Sequence, residues 1–201
     1  MAATRSSKSR GKAPERARAA ARTAKPASAS PVHVQASSDA HAGADGAYFT
    51  VNGRRWRATD PNLPAAFREA LTRELMSARR AVKQTKGIDA VAERAARDRV
   101  QDAKVALGER GPKWWLPMTE EQHEARIAAT IRALARERGA AKSLCPSEVA
   151  RALGGPEWRK LMVTVRAVAF ELQTAGDVRV TQKARVVNAT ARGAVRVQIV
   201  T

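Results

Sequence analysis

Residues 145–182 read CPSEVARALGGPEWRKLMVTVRAVAFELQTAGDVRVTQ, and they decide the fold of the C-terminal half of the chain. Proline at the first position favours a short helix over Pro146–Leu153, which the glycine pair Gly154-Gly155 stops. A longer helix is predicted over Glu157–Ala175, because apolar residues recur there every three or four positions on one face. A short helix, a tight glycine-rich turn and a longer helix form the order of a helix-turn-helix.

The sequence on either side extends this pattern. Upstream, a helix is predicted over Thr119–Arg138, where Thr-Glu-Glu-Gln forms a capping box and Ile and Leu residues form the buried stripe. Downstream, β-rich runs lie at Asp177–Gln182 and Val195–Val200. Three helices followed by a hairpin are typical of a winged helix-turn-helix, which we therefore predict for residues 117–201. That fold places its third helix in the DNA major groove and its hairpin along the backbone.

The predicted third helix and the wing carry cations at positions that we expect to be exposed. Because arginine can bond bidentately to guanine, Arg159 and Lys160 are expected to reach base edges or phosphates. Cations in the wing would contact phosphates and position the domain without reading sequence. Two features favour another use of this surface: Glu157 would repel phosphate, and Val163 and Phe170 lie off the main apolar stripe, as on a protein-covered face. The candidate nucleic-acid-binding residues are Arg159, Lys160, Thr164, Arg166, Lys183, Arg185 and Arg192.

Residues 47–116 are predicted to form a β-hairpin followed by an antiparallel αα-hairpin. Asn52-Gly53, between β-favouring runs at about Tyr48–Val51 and Arg54–Ala58, is a strong signal for a type I′ turn. We expect Trp56, with Phe49 or Tyr48, on the inner face of this hairpin, because a lone hairpin must pack against something to be stable. The three arginines beside Trp56 form either a cationic–aromatic platform for nucleic acid or simply the solvated side of the hairpin.

Two helical patterns follow the hairpin. The first begins at Pro64 and ends near Lys86, and the second runs from about Asp89 to Gly108 with a stripe of mostly small residues. Small residues let two helices approach closely, which suits an αα-hairpin with a short turn. The Trp114-Trp115 pair that comes next is expected to cover this core. Alternatively it is a docking anchor for another protein, since tryptophan is enriched at interface hot spots.

Two stretches of the chain resemble protein families. Residues 47–116 contain YFTVNGRRWRATDP, ELMSARRAV and DAKVALGERGPKWW, and they resemble small actinobacterial proteins labelled "biopolymer transporter Tol". Residues 119–201 contain CPSEVARAL, WRKLM, a later Val-Arg pair and VRVTQK, and they resemble a bacterial winged-helix family of unknown function. The second resemblance implies a winged-helix fold. It also leads us to expect Gly and Pro where this chain has Ala184 and Ala194, so the wing turn is expected to differ.

The overall charge indicates an anionic partner. The 201 residues include 37 Lys and Arg against 19 Asp and Glu, a formal charge of +18, and proteins this basic concentrate near polyanions. An Arg- and Ala-rich composition can also arise from a GC-rich genome alone. Residues 1–46 are of low complexity, so a disordered basic tail is predicted, either as an electrostatic arm on nucleic acid or as a solubilising leader.

Several classes of function are not expected. Cys145 is the only cysteine and the three histidines are far apart in sequence, so we expect no metal site. A thiol near a helix start can be reactive, but a partly buried structural role is the expectation for Cys145. The sequence contains no phosphate loop, paired-carboxylate site or nucleophile elbow, so we expect no enzyme, cofactor or small-molecule ligand. No apolar run is long enough to span a membrane, and no secretory signal is recognised.

We therefore expect a cytoplasmic bacterial protein, regulatory or nucleoid-associated, that binds nucleic acid, in particular duplex DNA, through residues 117–201. The alternative is a protein–protein interaction adaptor that uses the winged helix and the Trp114-Trp115 region. A continuous positive face over the candidate residues would favour DNA. An exposed apolar patch formed by Val163 and Phe170 would favour the adaptor.

Overall fold

The computed structural model describes residues 46–200, so the tail predicted over residues 1–46 lies, apart from Gly46, outside the described part of the chain. The described residues form a mixed α+β structure, mostly helical with two small antiparallel sheets, which agrees with the prediction of mainly helices with small β-hairpins. The winged helix-turn-helix stays a prediction. In chain order the elements are β1 (Tyr48–Val51), β2 (Arg54–Arg57), α1 (Ala65–Thr85), α2 (Ala90–Ala106), α3 (Glu120–Arg138), α4 (Pro146–Gly154), α5 (Trp158–Thr174), β3 (Val178–Gln182), β4 (Arg185–Val186) and β5 (Arg196–Ile199).

β1 and β2 form the predicted hairpin. Both turn residues have positive φ, 49° at Asn52 and 71° at Gly53, as a two-residue turn between twisted strands requires. The register pairs Val51 with Arg54 directly across this turn. The local turn signal in the sequence was therefore sufficient to place both strands.

Both faces of the hairpin contact the rest of the fold through an aromatic ring. Tyr48 and Arg57 are cross-strand partners, and the ring of Tyr48 meets that of Trp115 edge to face at 5.4 Å between centroids. Trp56 pairs with Phe49 on the other face and is 39% exposed, and the ammonium of the buried Lys104 lies 5.8 Å from the centre of its ring. Side chains alternate between the two faces of a strand, and both faces of this hairpin carry an aromatic ring.

α1 and α2 pack side by side and are joined by a short turn. Asp89 caps α2, because its carboxylate accepts hydrogen bonds from the N–H groups of Val91 and Ala92 at 3.0 and 2.9 Å. Between the helices, Arg99 donates to both carboxylate oxygens of the buried Glu74 at 2.8 and 3.0 Å. The elements of the predicted αα-hairpin are therefore present.

The C-terminal elements follow the predicted order. Thr119 and Gln122 form the capping box at the start of α3, and α4 and α5 are separated by a single 3₁₀ turn at Gly155–Glu157. In the second sheet β3 is central, with β4 and β5 antiparallel on either side. Leu144 adds an isolated bridge to Val197 of β5. α5 therefore leads directly into the sheet that covers one side of α3.

The short strand β4 was not predicted. It pairs with β3 through a two-residue turn at Lys183 and Ala184, which have φ of 49° and 66°. Both residues occupy the left-handed region that favours glycine, so the turn forms here without one. Residues 183–195, which connect β3 to β5 and include β4, are called the outer loop below.

One apolar core extends across both predicted modules. Leu71 and Leu75 of α1 belong to the same cluster as Ile127 and Ile131 of α3, and the cluster continues into α5 and the second sheet. α3 is therefore covered by α1 and α2 as well as by α5. The division into separate domains at residues 47–116 and 117–201 stays a prediction.

Ion pairs also join residues 47–116, the N-terminal segment, to residues 117–201. Arg126 of α3 donates to Asp60 at 2.7 Å, and both side chains are more than nine-tenths buried. About two and three turns further along α3, Arg132 donates to both oxygens of Asp102 at 2.9 and 3.0 Å, and Arg136 donates to one of them at 2.6 Å. The N-terminal segment thus neutralises one side of α3.

Within residues 46–200, no helix has the length and apolar character needed to cross a bilayer. The same residues contain no cluster of three or more His, Cys, Asp or Glu side chains placed to hold a metal ion.

Candidate nucleic-acid interface

The first two turns of α5 present polar and charged side chains away from the core. The inner stripe of the helix, represented by Val165, Val168 and Leu172, is buried. Arg159 and Lys160, in contrast, are exposed at its start. The 3.6-residue period of a helix separates these two faces. Arg159 and Lys160 are therefore accessible to a ligand, as the sequence predicted.

Arg159 is stacked rather than freely extended. Its guanidinium carbon lies 4.7 Å from the centre of the Trp158 ring, and the guanidinium carbon of Arg151, from α4, lies at the same distance. A cation over an aromatic face is attracted by the negative charge of the ring face. Two guanidinium groups are thus held at the junction between α4 and α5. Arg151 was not among the residues predicted from the sequence, although its position seven residues before Trp158 across the glycine turn is compatible with such a contact.

Lys160 forms an ion pair with Glu157, and both side chains are largely exposed, at 84% and 65%. Exposed pairs of this kind contribute at most about 1 kcal/mol and exchange readily with other partners. Glu157 was expected to repel phosphate beside Arg159, and the structure pairs it with Lys160 instead. Thr164, one turn further along α5 from Lys160, is half-buried.

Arg166 bonds to the backbone of the outer loop. Its guanidinium donates to the carbonyl of Gly193 at 2.7 Å and to the carbonyl of Ala191, and its guanidinium carbon lies 5.4 Å from the Phe170 ring. Arg166 therefore holds the loop against α5. The structure gives Arg166 a role in positioning the loop. This role could not be predicted from the sequence, because the bonded residues are far apart in the chain.

Gln182 and Gln173 hold the same loop from the strand and from the end of α5. Gln182 donates to the carbonyls of Arg192 and Ala194 at 2.7 and 3.2 Å. Gln173 donates to the carbonyl of Val187 at 2.9 Å and accepts from the N–H of Val180 at 2.6 Å. The loop is thus fixed at several carbonyls along its length, and neither glutamine was among the predicted residues.

The three predicted cations of the outer loop are all exposed. Lys183 lies in the turn between β3 and β4, and Arg185 pairs with Gln182 directly after that turn. Arg192 lies between Ala191 and Gly193, the two residues whose carbonyls accept from Arg166. The structure therefore gathers the candidates into two groups, one at the start of α5 and one on the outer loop. Arg166 connects them.

Hydrogen bonds at the junction between α3 and α4 hold the start of α4 in place. Arg138 donates to both carboxylate oxygens of Glu148 and to the carbonyl of Ser143 at 2.7 Å. Burial raises the pKa of Glu148, but the bonds from Arg138 and from the N–H of Cys145 outweigh it and leave the pKa below its ordinary value. Cys145 precedes α4 and its sulfur lies 2.9 Å from the hydroxyl of Ser147. These contacts give the cysteine a place in the helix cap.

The apolar features behind the adaptor alternative do not form one patch. Val163 is 77% exposed on α5, but Phe170 is buried. Trp114 donates from its indole N–H to the carbonyl of Ala58 at 3.2 Å and meets Trp115 edge to face at 5.1 Å. Together with the contact between Trp115 and the first hairpin, this places both tryptophans, half-buried, within the fold.

Residues 124–200 match a family described as "Protein of unknown function (DUF3253)". The match begins in α3, ends just after β5 and includes every candidate residue, although it covers less than half of the 201 residues. No curated protein matches the chain. The C-terminal part is thus similar to an uncharacterised family, as its sequence indicated. This match supports neither the winged-helix description nor the Tol label for residues 47–116.

Proposed function

We propose that the protein is a non-enzymatic nucleic-acid-binding protein and that it binds duplex DNA through a winged helix-turn-helix formed by α3, α4, α5 and the second sheet. The short α4, the single turn and the longer α5 follow the order of that fold, and β3 to β5 follow α5 as its wing would. The bridge from Leu144 to Val197 supports this assignment, because it adds a short extended segment between the first and second helices of the motif.

The observation that carries the proposal is the arrangement of cations around α5. Arg159 and Lys160 are exposed at its start, and Arg151 lies against the same tryptophan as Arg159. Arg192 is held beside the same helix, because its neighbours accept hydrogen bonds from Arg166. The cations thus lie along one helix and the loop attached to it, which is the distribution that a nucleic-acid backbone requires.

In the mechanism that we propose, the start of α5 enters the major groove. Arg159 bonds to guanine or to a phosphate, and the exposed Val163 contacts a thymine methyl group, as apolar side chains in that groove do. Lys183, Arg185 and Arg192 bind phosphates and set the register of the domain. The basic residues among 1–46 add non-specific attraction. Such a protein would act at the nucleoid, in the cytoplasm.

The stack on Trp158 has a physical role in this mechanism. An arginine side chain loses about 2 kcal/mol of rotamer entropy when it is fixed completely. Contact with the indole restricts Arg159 and Arg151 before any ligand arrives, so less of that entropy remains to be lost on binding. The tryptophan is therefore a positioning residue for the two arginines.

The adaptor alternative is favoured by two exposed apolar side chains, Val163 at 77% and Val186 at 61%. In that case both valines would dock onto a partner protein, and the neighbouring cations would form the rim of the interface. Binding to DNA and binding to protein differ in their dependence on salt and on the cations.

The experiment uses the full chain, because α3 shares its core and its ion pairs with the N-terminal segment. Fluorescence anisotropy measures binding to a random-sequence duplex at several salt concentrations. We expect log K to fall with log salt, with a slope of about −0.9 per phosphate neutralised. The double variant Arg159→Glu/Lys183→Glu is expected to lose most of this affinity. Arg94→Glu/Lys142→Glu changes the net charge equally at exposed positions elsewhere and is expected to retain it.

Equal losses in the two double variants would show that the chain responds to its net charge alone. The winged-helix mechanism would then be wrong. No binding by the parental chain would also refute the proposal and would leave the adaptor as the better explanation of the surface.

A further inference from the structure

We propose that the groove between α1 and α2 is a second binding site for the phosphates of a nucleic acid, separate from α5 and the outer loop. The groove is lined by Arg79, Val82, Arg97, Val100 and Arg110 and has a volume of about 220 Å³. This inference rests on the proposed function for the class of ligand, but it concerns residues 47–116 and not the C-terminal part of the chain.

The groove combines an apolar floor with a cationic rim. Val82 and Val100 are half-buried where the two helices pack, whereas the three arginines are exposed. Guanidinium groups donate in a planar fork that fits two phosphate oxygens, so arginine is the preferred side chain for phosphate recognition. An apolar floor is better packed against the sugar edges between phosphates than exposed to bulk water.

Two of the three arginines are not neutralised by a carboxylate. In the described part of the chain, the contacts recorded for Arg79 and Arg110 are with neutral atoms. Arg79 lies 4.0 Å from the sulfur of Met76, and Arg110 donates to the amide oxygen of Gln101 at 2.8 Å. Arg97, in contrast, forms an ion pair with Glu93 at 2.6 Å. The rim therefore keeps two positive charges for a ligand.

The second half of α1 extends this cationic surface. Between residues 75 and 88 the helix and its turn contain four basic side chains and no acidic one. Arg79, Lys83 and Lys86 are spaced at four and three residues, so they lie along one face of the helix or its end. A helix rises about 1.5 Å per residue, so this row is about 10 Å long.

The length of the row selects the kind of anion. A single phosphate ion reaches one or two guanidinium groups, whereas a row of about 10 Å faces several charges of a polymeric anion at once. Other arginines on the same helices are structural, as the bidentate pair of Arg99 with the buried Glu74 illustrates. The contrast separates the arginines that stabilise the αα-hairpin from those that remain open to a ligand.

The test compares two variants of the full chain by anisotropy with a random-sequence duplex over a range of salt concentrations. Arg79→Gln/Arg110→Gln removes two charges from the groove and leaves polar, uncharged side chains. Arg94→Gln/Lys142→Gln removes two exposed charges elsewhere. We expect the groove variant to make the slope of log K against log salt shallower by about 1.8, the value for two phosphates, and the control to leave it unchanged. Equal thermal midpoints would establish that both variants remain folded.

A slope in the groove variant equal to that of the parental chain would overturn the inference. Inorganic phosphate at constant ionic strength is also added to the parental chain. If it reduces the slope of the parental chain to that of the groove variant, the groove is a pocket for a single ion, and the inference is overturned as well. The two proposals fail separately. If Arg159→Glu/Lys183→Glu has no effect but the groove variant does, the winged-helix mechanism is wrong and the groove stands; the reverse result removes only the groove.

Discussion

Replacement of Asp60 by Asn is expected to destabilise the protein by about 3–5 kcal/mol, the usual cost of removing one member of a buried ion pair. Asp60 accepts a hydrogen bond from Arg126 at 2.7 Å, and the two side chains are only 8% and 7% exposed. The pair lies where the N-terminal segment meets α3. Its loss therefore leaves a guanidinium charge between two parts of the core.

The magnitude follows from the few other partners that Arg126 has. Among the described residues its remaining bond is a long one, 3.5 Å to the carbonyl of Ala106, and its buried Nε has no hydrogen-bond partner there. Asn at position 60 would retain the shape and the acceptor for the N–H of Asn62, which lies 3.0 Å from the carboxylate. The expected loss is thus mainly the charge compensation of Arg126 and not the local turn.

The assay is equilibrium unfolding in urea, with the midpoint and the slope fitted separately. Glu137→Gln is the matched control, because Glu137 also joins α3 to the N-terminal segment through Arg73, at 2.8 Å, but Arg73 is 61% exposed. That variant is expected to cost no more than about 1 kcal/mol. The double variant Asp60→Leu/Arg126→Met is expected to be more stable than Asp60→Asn. Equal costs for Asp60→Asn and Glu137→Gln would refute the reasoning.

Three further predictions concern the outer loop, the α3–α4 junction and the core. Ala184→Gly should stabilise the fold by about 0.5–1 kcal/mol, since it relieves a left-handed alanine; Ala189→Gly, at ordinary φ, should not, and urea unfolding compares them. The lowered pKa of Glu148 means that its stabilisation is complete above the ordinary value of 4.5 and is lost as pH falls through the folded pKa, so Glu148→Gln should flatten the acid limb of stability against pH. Residues 117–201 alone should lack a cooperative thermal transition by circular dichroism, because Arg126 would lose Asp60 and Ile127 would lose the part of the core cluster that α1 contributes. A sharp thermal transition at the parental midpoint would contradict this.

The parts of the fold that could be predicted from sequence depend on interactions over a few residues. The Asn52-Gly53 turn needs only two residues with positive φ, and the capping box of Thr119 and Gln122 needs only one helical turn. Helical periodicity placed α5 to within one residue at each end. β4 was not predicted, because its turn is formed by Lys183 and Ala184. Neither residue is a glycine, so the sequence does not indicate a left-handed conformation there.

The parts that could not be predicted depend on partners far away in sequence. Arg126 and Asp60 are 66 residues apart, and Arg166 lies 25 and 27 residues from the loop carbonyls to which it donates. An exposed arginine and an arginine that braces a loop look the same in a helical pattern. Arg159 and Lys183 are exposed, as expected from their positions in the sequence pattern, whereas the bonds of Arg166 to the outer loop could not be predicted from it. The use of these residues as a binding site stays a prediction.

These distant partners also change the meaning of the charge of +18. Asp60, Glu74 and Asp102 are buried and bind arginines of α2 and α3, so they do little to neutralise the cations at the surface. The cations of the outer loop and the start of α5 keep only Glu157 as a recorded carboxylate partner among the described residues. The cations at the start of α5 and on the outer loop therefore keep most of their charge available to a ligand.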